Sequence, residues 1–168
     1  LNKNLKVEVP VLGSAKDVLP ALTKLVKPAR HTEWIDSFEI YKNTEYEKVI
    51  EREVFPKSGK ITMGEVINKV SEATHHNAIC VTDVGQNQMA AARYFKFSQT
   101  RSLITSGGLG TMGFGLPAAI GAKIASPDRT VCLFAGDGGF QMTIQELGTI
   151  MENNIGVKMI VLDNKFLG

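Results

Sequence analysis

The run Val131-Cys132-Leu133-Phe134-Ala135-Gly136-Asp137-Gly138-Gly139 passes from five apolar residues straight into a glycine-rich turn holding one carboxylate. An unbroken apolar run bounded by glycine is the pattern of a strand buried on both faces. The same unit recurs around it. Ala78-Ile79-Cys80-Val81-Thr82 leads into Asp83-Val84-Gly85-Gln86-Asn87, and Arg101-Ser102-Leu103-Ile104-Thr105 leads into a loop from Ser106 to Gly115. Val157-Lys158-Met159-Ile160-Val161-Leu162 leads into Asp163-Asn164. Helical stretches fall between: 87–95, the small-residue segment 116–125, and one striped by Ile144, Leu147, Ile150 and Met151. Strands alternating with helices predict an α/β fold with a doubly wound parallel sheet. Ligands of such sheets bind beyond the carboxyl ends of the strands, where these turns lie.

Upstream, the character changes twice. Residues 61–168 carry the alternation, opened by Thr62 and Glu65 at capping-box spacing. Residues 29–60 are charged and aromatic, and Trp34, Phe38 and Tyr41 share one face of a predicted linker helix. Residues 1–28 read as one strand, from the alternation of Val7, Val9 and Val11, then one helix opened by Ser14 and Asp17 and complicated by Pro20. One strand and one helix cannot bury both their apolar faces, so this segment is expected to be the tail of an upstream domain.

The 168 residues are 43% hydrophobic and 21% charged, with a net charge of +2. This balance excludes a disordered chain and leaves no basic footprint for nucleic acid. No apolar run approaches the roughly 20 residues of a membrane span. Cys80 and Cys132 both lie in strand-like runs, where they read as buried thiols of a reducing, cytoplasmic setting.

The loop at Asp137 carries the chemistry. Backbone amides of Gly138 and Gly139 at a helix start suit an anion, whereas the Asp137 carboxylate repels a bare phosphate. A divalent cation between them reconciles the two, and Mg²⁺ accepts a few protein oxygens plus phosphate and water. Asn164 brings a neutral amide oxygen to the same edge. A rival reading is the G-x-G-x-x-G of Gly108, Gly110 and Gly113, a dinucleotide fingerprint. Pro117 speaks against it, because in a helix running through the motif its ring would meet the Gly113 carbonyl. Pro117 fits better as the first residue of a helix starting after Gly115.

Gly136-Asp137-Gly138, 24 residues, then Asp163-Asn164 resembles the thiamine-diphosphate motif, in which GDG is followed by a paired Asn. The runs Val84 to Met89 and Thr105 to Ala119 resemble the large subunit of the acetolactate synthase (acetohydroxyacid synthase) family. The resemblance implies the diphosphate-binding fold, with Asp137, Asn164 and the Phe166 carbonyl holding Mg²⁺. It places Val84, Gly85, Gln86, Asn87, Gly136, Gly138 and Gly139 around the diphosphate, and Gly110 and Met112 against the cofactor's rings. One departure is Asp163, where the family has its first Asn. The implied activity is decarboxylation of pyruvate and transfer of the two-carbon unit to a second 2-oxo acid, in branched-chain amino acid biosynthesis. The family forms its site between two copies of the chain, with a regulatory small subunit in some members; FAD, where used, belongs to the middle domain. The activating carboxylate of the partner's pyrimidine domain has no counterpart here, so no catalytic residue is assigned. Residues 1–168 are accordingly expected to be a C-terminal piece, ending where a substrate-facing helix begins and inactive alone. Pyruvate oxidases and 2-oxo acid decarboxylases share the GDG site and stay open as alternatives, as does a non-catalytic binding or assembly module.

Overall fold

The computed structural model describes residues 3–166, so the outermost ends of the predicted first and last segments lie outside it. The chain forms two compact units, Leu1–Lys42 and Asn43–Gly168. In the first, α1 (Ala15–Leu25) is capped by Ser14, whose hydroxyl accepts the Lys16 amide at 3.3 Å. The cap therefore reaches Lys16 and makes no reciprocal box with Asp17. Pro20 sits inside α1, at the cost of the backbone bond its missing N–H would have made. The expected strand at Val7 to Val11 is absent among the described residues. Alternation marks which residues a strand would bury, but a strand needs a neighbouring strand, and among the described residues of this unit no strand forms. Next comes α2 (Thr32–Glu45), which carries Trp34 and Phe38 edge-to-face with ring centroids 4.9 Å apart.

The second unit holds the sheet. A π-helical turn and α3 (Glu51–Val54) precede α4 (Met63–Ala73), whose cap is Thr62: its hydroxyl accepts the Glu65 amide at 3.2 Å, as the box spacing predicts. His75 and His76 close α4 with two successive left-handed residues, and Ser71 bonds the His76 ring at 2.9 Å. Then follow β1 (Ile79–Thr82), α5 (Gln86–Tyr94), β2 (Leu103–Ile104), α6 (Gly115–Ala125), β3 (Val131–Gly136), α7 (Asp137–Met142), α8 (Glu146–Glu152) and β4 (Lys158–Leu162). The four strands are parallel in the order β2-β1-β3-β4.

Strand alternation divides the core into two layers. Ile79, Val81, Val131, Leu133 and Ala135 pack on one face with Leu116 and Ala119 of α6 and Ile150 of α8. Cys80, Cys132 and Phe134 pack on the other with Ile67 of α4 and Ala91 of α5. The sheet is thus doubly wound, as the alternation of strands and helices predicts. β1 and β3, flanked by strands on both sides, are buried but for the half-buried Gly136 at the end of β3, whereas β2 and β4 lie at the edges and are partly exposed. β2 keeps two of the five predicted residues, since beyond Ile104 the chain turns away into the glycine loop. The last predicted helix is two: α7 begins at Asp137 itself, and 143–145 separate it from α8. Pro117 is the third residue of α6, not its first. That position is still in the first turn, where an N–H has no helical partner to lose.

Candidate functional site

From β1 the chain turns through α5 to β2 on one side, then crosses back through α6 to β3 on the other. The connections therefore diverge between the carboxyl ends of β1 and β3, and a cleft opens there, the switch point at which open α/β sheets take ligands. One wall is the turn after β1: Val84, Gly85, Gln86 and Asn87. The opposite wall is Gly136, Asp137, Gly138 and Gly139, where β3 passes into α7. Met112 enters from the glycine loop, and Asn164 and Phe166 from the segment after β4.

Eleven of the twelve residues singled out from the sequence thus line one cleft. Gly110 does not line it but stands beside it, where an added Cβ would lie 3.9 Å from the Val84 side chain. Two further lining residues, Met63 at the start of α4 and Leu162 at the end of β4, carried no sequence signal; tertiary placement alone brings them in.

Local geometry explains the residue types. Gly85 caps α5 with φ 117°, a conformation that side chains rarely adopt. The N–H of Val84 donates to the Asp83 carboxylate at 2.8 Å, and its carbonyl accepts from the Asn87 amide at 3.2 Å. Both backbone groups of Val84 are therefore engaged within the protein. Asn87 is 4% exposed, and its Oδ1 has no partner. An orphaned buried acceptor costs about 1–3 kcal/mol and invites a donor from the cleft, such as a metal-bound water.

Across the sheet, the Asn164 amide donates to Gln86 Oε1 at 2.8 Å while its oxygen accepts the Phe166 N–H at 3.0 Å. An amide oxygen has a second lone pair, which leaves it able to ligate. Asp163, the departure from the paired Asn, folds back onto Lys165. It accepts that residue's backbone N–H at 3.0 Å and its ammonium. The side-chain bond first and the backbone bond second hold the Asp163 carboxyl below its ordinary range, and the same carboxylate raises Lys165.

The donors available to a metal are the Asp137 carboxylate, the Asn164 amide oxygen and the Phe166 carbonyl. No group of three or more His, Cys, Asp or Glu side chains is placed to hold a metal among the described residues. A set with one carboxylate and otherwise neutral oxygens suits a hard cation that keeps water and phosphate as ligands. The residues present fit Mg²⁺ with a diphosphate.

Sequence reasoning passed over Asp83 as a turn residue. It is 1% exposed, and its carboxylate accepts three backbone N–H groups, from Val84, Gly113 and Gly115. Its position, directly after a buried strand like Asp137, was the available signal.

The family model of the thiamine pyrophosphate enzyme C-terminal TPP-binding domain matches residues 83–168. The chain belongs to the thiamine pyrophosphate enzymes. The matched segment opens at the end of β1 and takes in every wall of the cleft except Met63. Among its relatives is the acetolactate synthase large subunit of Lactococcus lactis, 43% identical over all of this chain and 28% of that protein. Isozyme 1 of the Escherichia coli acetolactate synthase large subunit is 42% identical over all of this chain and 29% of its own length. The chloroplastic acetolactate synthase of Arabidopsis thaliana is 40% identical, with 25% of it covered. The resemblance read from the GDG motif and the glycine loop is thereby borne out, and the chain spans under a third of the length of these relatives. No helix among the described residues is long and apolar enough to cross a membrane.

Proposed function

We propose that this chain carries the diphosphate and Mg²⁺ half of the site of an acetolactate synthase-like carboligase. The observation that carries the reading is the convergence of Asp137, Asn164 and the two glycine-bearing turns on one cleft at the β1/β3 switch point. Asp137 and Asn164, with the Phe166 carbonyl, would hold Mg²⁺, whose charge would offset that of a diphosphate beside the carboxylate. Gly136 and Gly138 would let that group approach the backbone, and α7's first amides, Gly138 and Gly139 among them, would face it. Asn87 offers its unpartnered oxygen to the metal's water shell. Met112 props the cofactor from the glycine loop, while Met63, Val84 and Leu162 keep water from its flank.

When bound, thiamine diphosphate supplies the electron sink for loss of CO₂ from a 2-oxo acid; position and electrostatics come from the protein. The chain's own part is to bind and orient. Among the described residues it brings no general acid or base to the cleft beyond the metal carboxylate, so in this reading the group that activates the cofactor comes from a second copy of the chain. The substrates are 2-oxo acids, pyruvate as donor and a second 2-oxo acid as acceptor. The setting is the cytoplasm, with assembly as a homo-oligomer able to take a regulatory subunit.

The test is product analysis of the full-length protein with pyruvate, thiamine diphosphate and Mg²⁺. The expected product is acetolactate. Acetaldehyde as the sole product would replace the carboligase with a decarboxylase, acetyl phosphate or acetate with an oxidase, and no turnover would leave a binding module.

A further inference from the structure

We infer that Asp83 is a positioning residue that sets the Met112 loop against the diphosphate turns before any cofactor arrives, an inference that rests on the function proposed above. Asp83 follows β1 directly, and its backbone N–H is locked to the Phe134 carbonyl of β3 at 2.9 Å. Its carboxylate is buried with no cation against it in any ion pair among the described residues. Such a charge is costly to bury unless hydrogen bonds replace water. Here they come from three backbone N–H groups on two segments, the turn after β1 and the glycine loop. Oδ1 accepts Val84 N at 2.8 Å and Gly113 N at 3.1 Å, and Oδ2 accepts Gly115 N at 2.8 Å.

Each contact fixes a part of the cleft. Val84 opens the turn that carries Gln86 and Asn87. Gly113, at φ 83°, is the residue after Met112, and its carbonyl takes the Thr143 hydroxyl at 3.1 Å. Gly113, the residue that follows Met112, is therefore held at its N–H by Asp83 and at its carbonyl by Thr143. Gly115 starts α6, whose Phe114 cap position offers no side-chain bond, so Asp83 caps that helix from a distance and meets its positive end. Gly139 of α7 closes on the same carboxylate so tightly that a Cβ there would stand 2.3 Å from Oδ1. One side chain thus ties the Met112 loop to the turn after β1 and packs against α7, three of the segments that border the cleft.

The experiment uses the full-length protein with two probes, Mg²⁺–thiamine diphosphate and Mg²⁺–inorganic pyrophosphate, titrated calorimetrically. Asp83→Asn keeps the shape but turns an N–H₂ toward at least one backbone N–H. Loss of a charged bond of this kind raises Kd for the whole cofactor about tenfold or more. Pyrophosphate, which lacks the rings that Met112 would prop, weakens by less than about threefold. Thr143→Val moves the two affinities in the same directions by less. Equal weakening of both probes by Asp83→Asn marks general damage and overturns the positioning role, as does an unchanged cofactor Kd. Should Asp83→Asn fail to fold, Thr143→Val and amide hydrogen exchange decide. The Gly113 and Gly115 amides of the wild type, without cofactor, should be protected like those of β3, and exchange at the rate of an open loop overturns the inference. A wild type that binds neither probe removes the underlying function and this role with it. A wild type that binds both, beside an indifferent Asp83→Asn, removes this role alone.

Discussion

Gly139→Ala probes the closest approach in the cleft. Gly139 is helical, so alanine's backbone suits it and only the added methyl matters. That Cβ would stand 2.3 Å from Asp83 Oδ1 and 2.8 Å from its Cγ. Ordinary contact requires a retreat of about 1 Å. The carboxylate cannot swing away freely, because Val84 and Gly113 both donate to that oxygen. Overpacking of a tight site costs about 1–3 kcal/mol, and a broken hydrogen bond to a charge adds about 1.5–3 kcal/mol. Alanine's better helix propensity returns at most about 1 kcal/mol. The net loss expected is about 1.5–5 kcal/mol, or about 3–20 °C in Tm for a chain of this size. The control is Gly121→Ala in α6, exposed, with nothing within 4 Å of its added Cβ; it should gain about 0.5–1 kcal/mol. Urea unfolding of both variants measures the pair. A Gly139→Ala protein within about 0.5 kcal/mol of the wild type, as an inert surface change would be, would refute the proximity of α7 to the Asp83 carboxylate.

Phe134 is fully buried, with its ring 5.9 Å from that of Phe95; Phe134→Ala should cost about 3–5 kcal/mol in urea unfolding, and a loss under about 1 kcal/mol would contradict its central place in the second core layer. Burial first pushes the Cys80 thiol up from its ordinary 9.0 to about 12 and Cys132 to about 11. The folded chain therefore keeps protons that the unfolded chain sheds above pH 9, so stability should fall from about pH 9 toward 11–12. Denaturation at stepped pH should show this slope flattened in the Cys80→Ala, Cys132→Ala double variant, and an unchanged slope would assign the loss to other groups.

How far the sequence could be read differs by element, for physical reasons. β1 and β3 are bare apolar runs because they are buried on both faces, and that composition is local information. The place of Asp137 in the cleft was legible because glycines frame a carboxylate directly at a strand end. The expected strand at Val7 failed because alternation reports a face and not a partner, and pairing is decided by residues far along the chain. Asp83 failed for the same reason. Its Gly113 and Gly115 partners lie 30 and 32 positions away, and the local string Thr82-Asp83-Val84-Gly85 reads equally well as a turn. Met63 and Leu162 reach the cleft only because α4 and β4 are placed beside it. Pro117 marked the first turn of α6 correctly but not its register, since several first-turn positions tolerate a missing N–H.

The central claim is that Asp137 holds a metal on which diphosphate binding depends. Thermal melts of the wild type and Asp137→Ala, with thiamine diphosphate in Mg²⁺ or in EDTA, test it most directly. Ligand at 100 times Kd adds about 2.7 kcal/mol to the folded state, so the wild type should gain several degrees in Mg²⁺ and none in EDTA. Asp137→Ala should melt close to the wild type without ligand and gain nothing with it. An Asp137→Ala protein that keeps the full Mg²⁺-dependent shift would contradict the account, as would a wild type stabilised equally in EDTA.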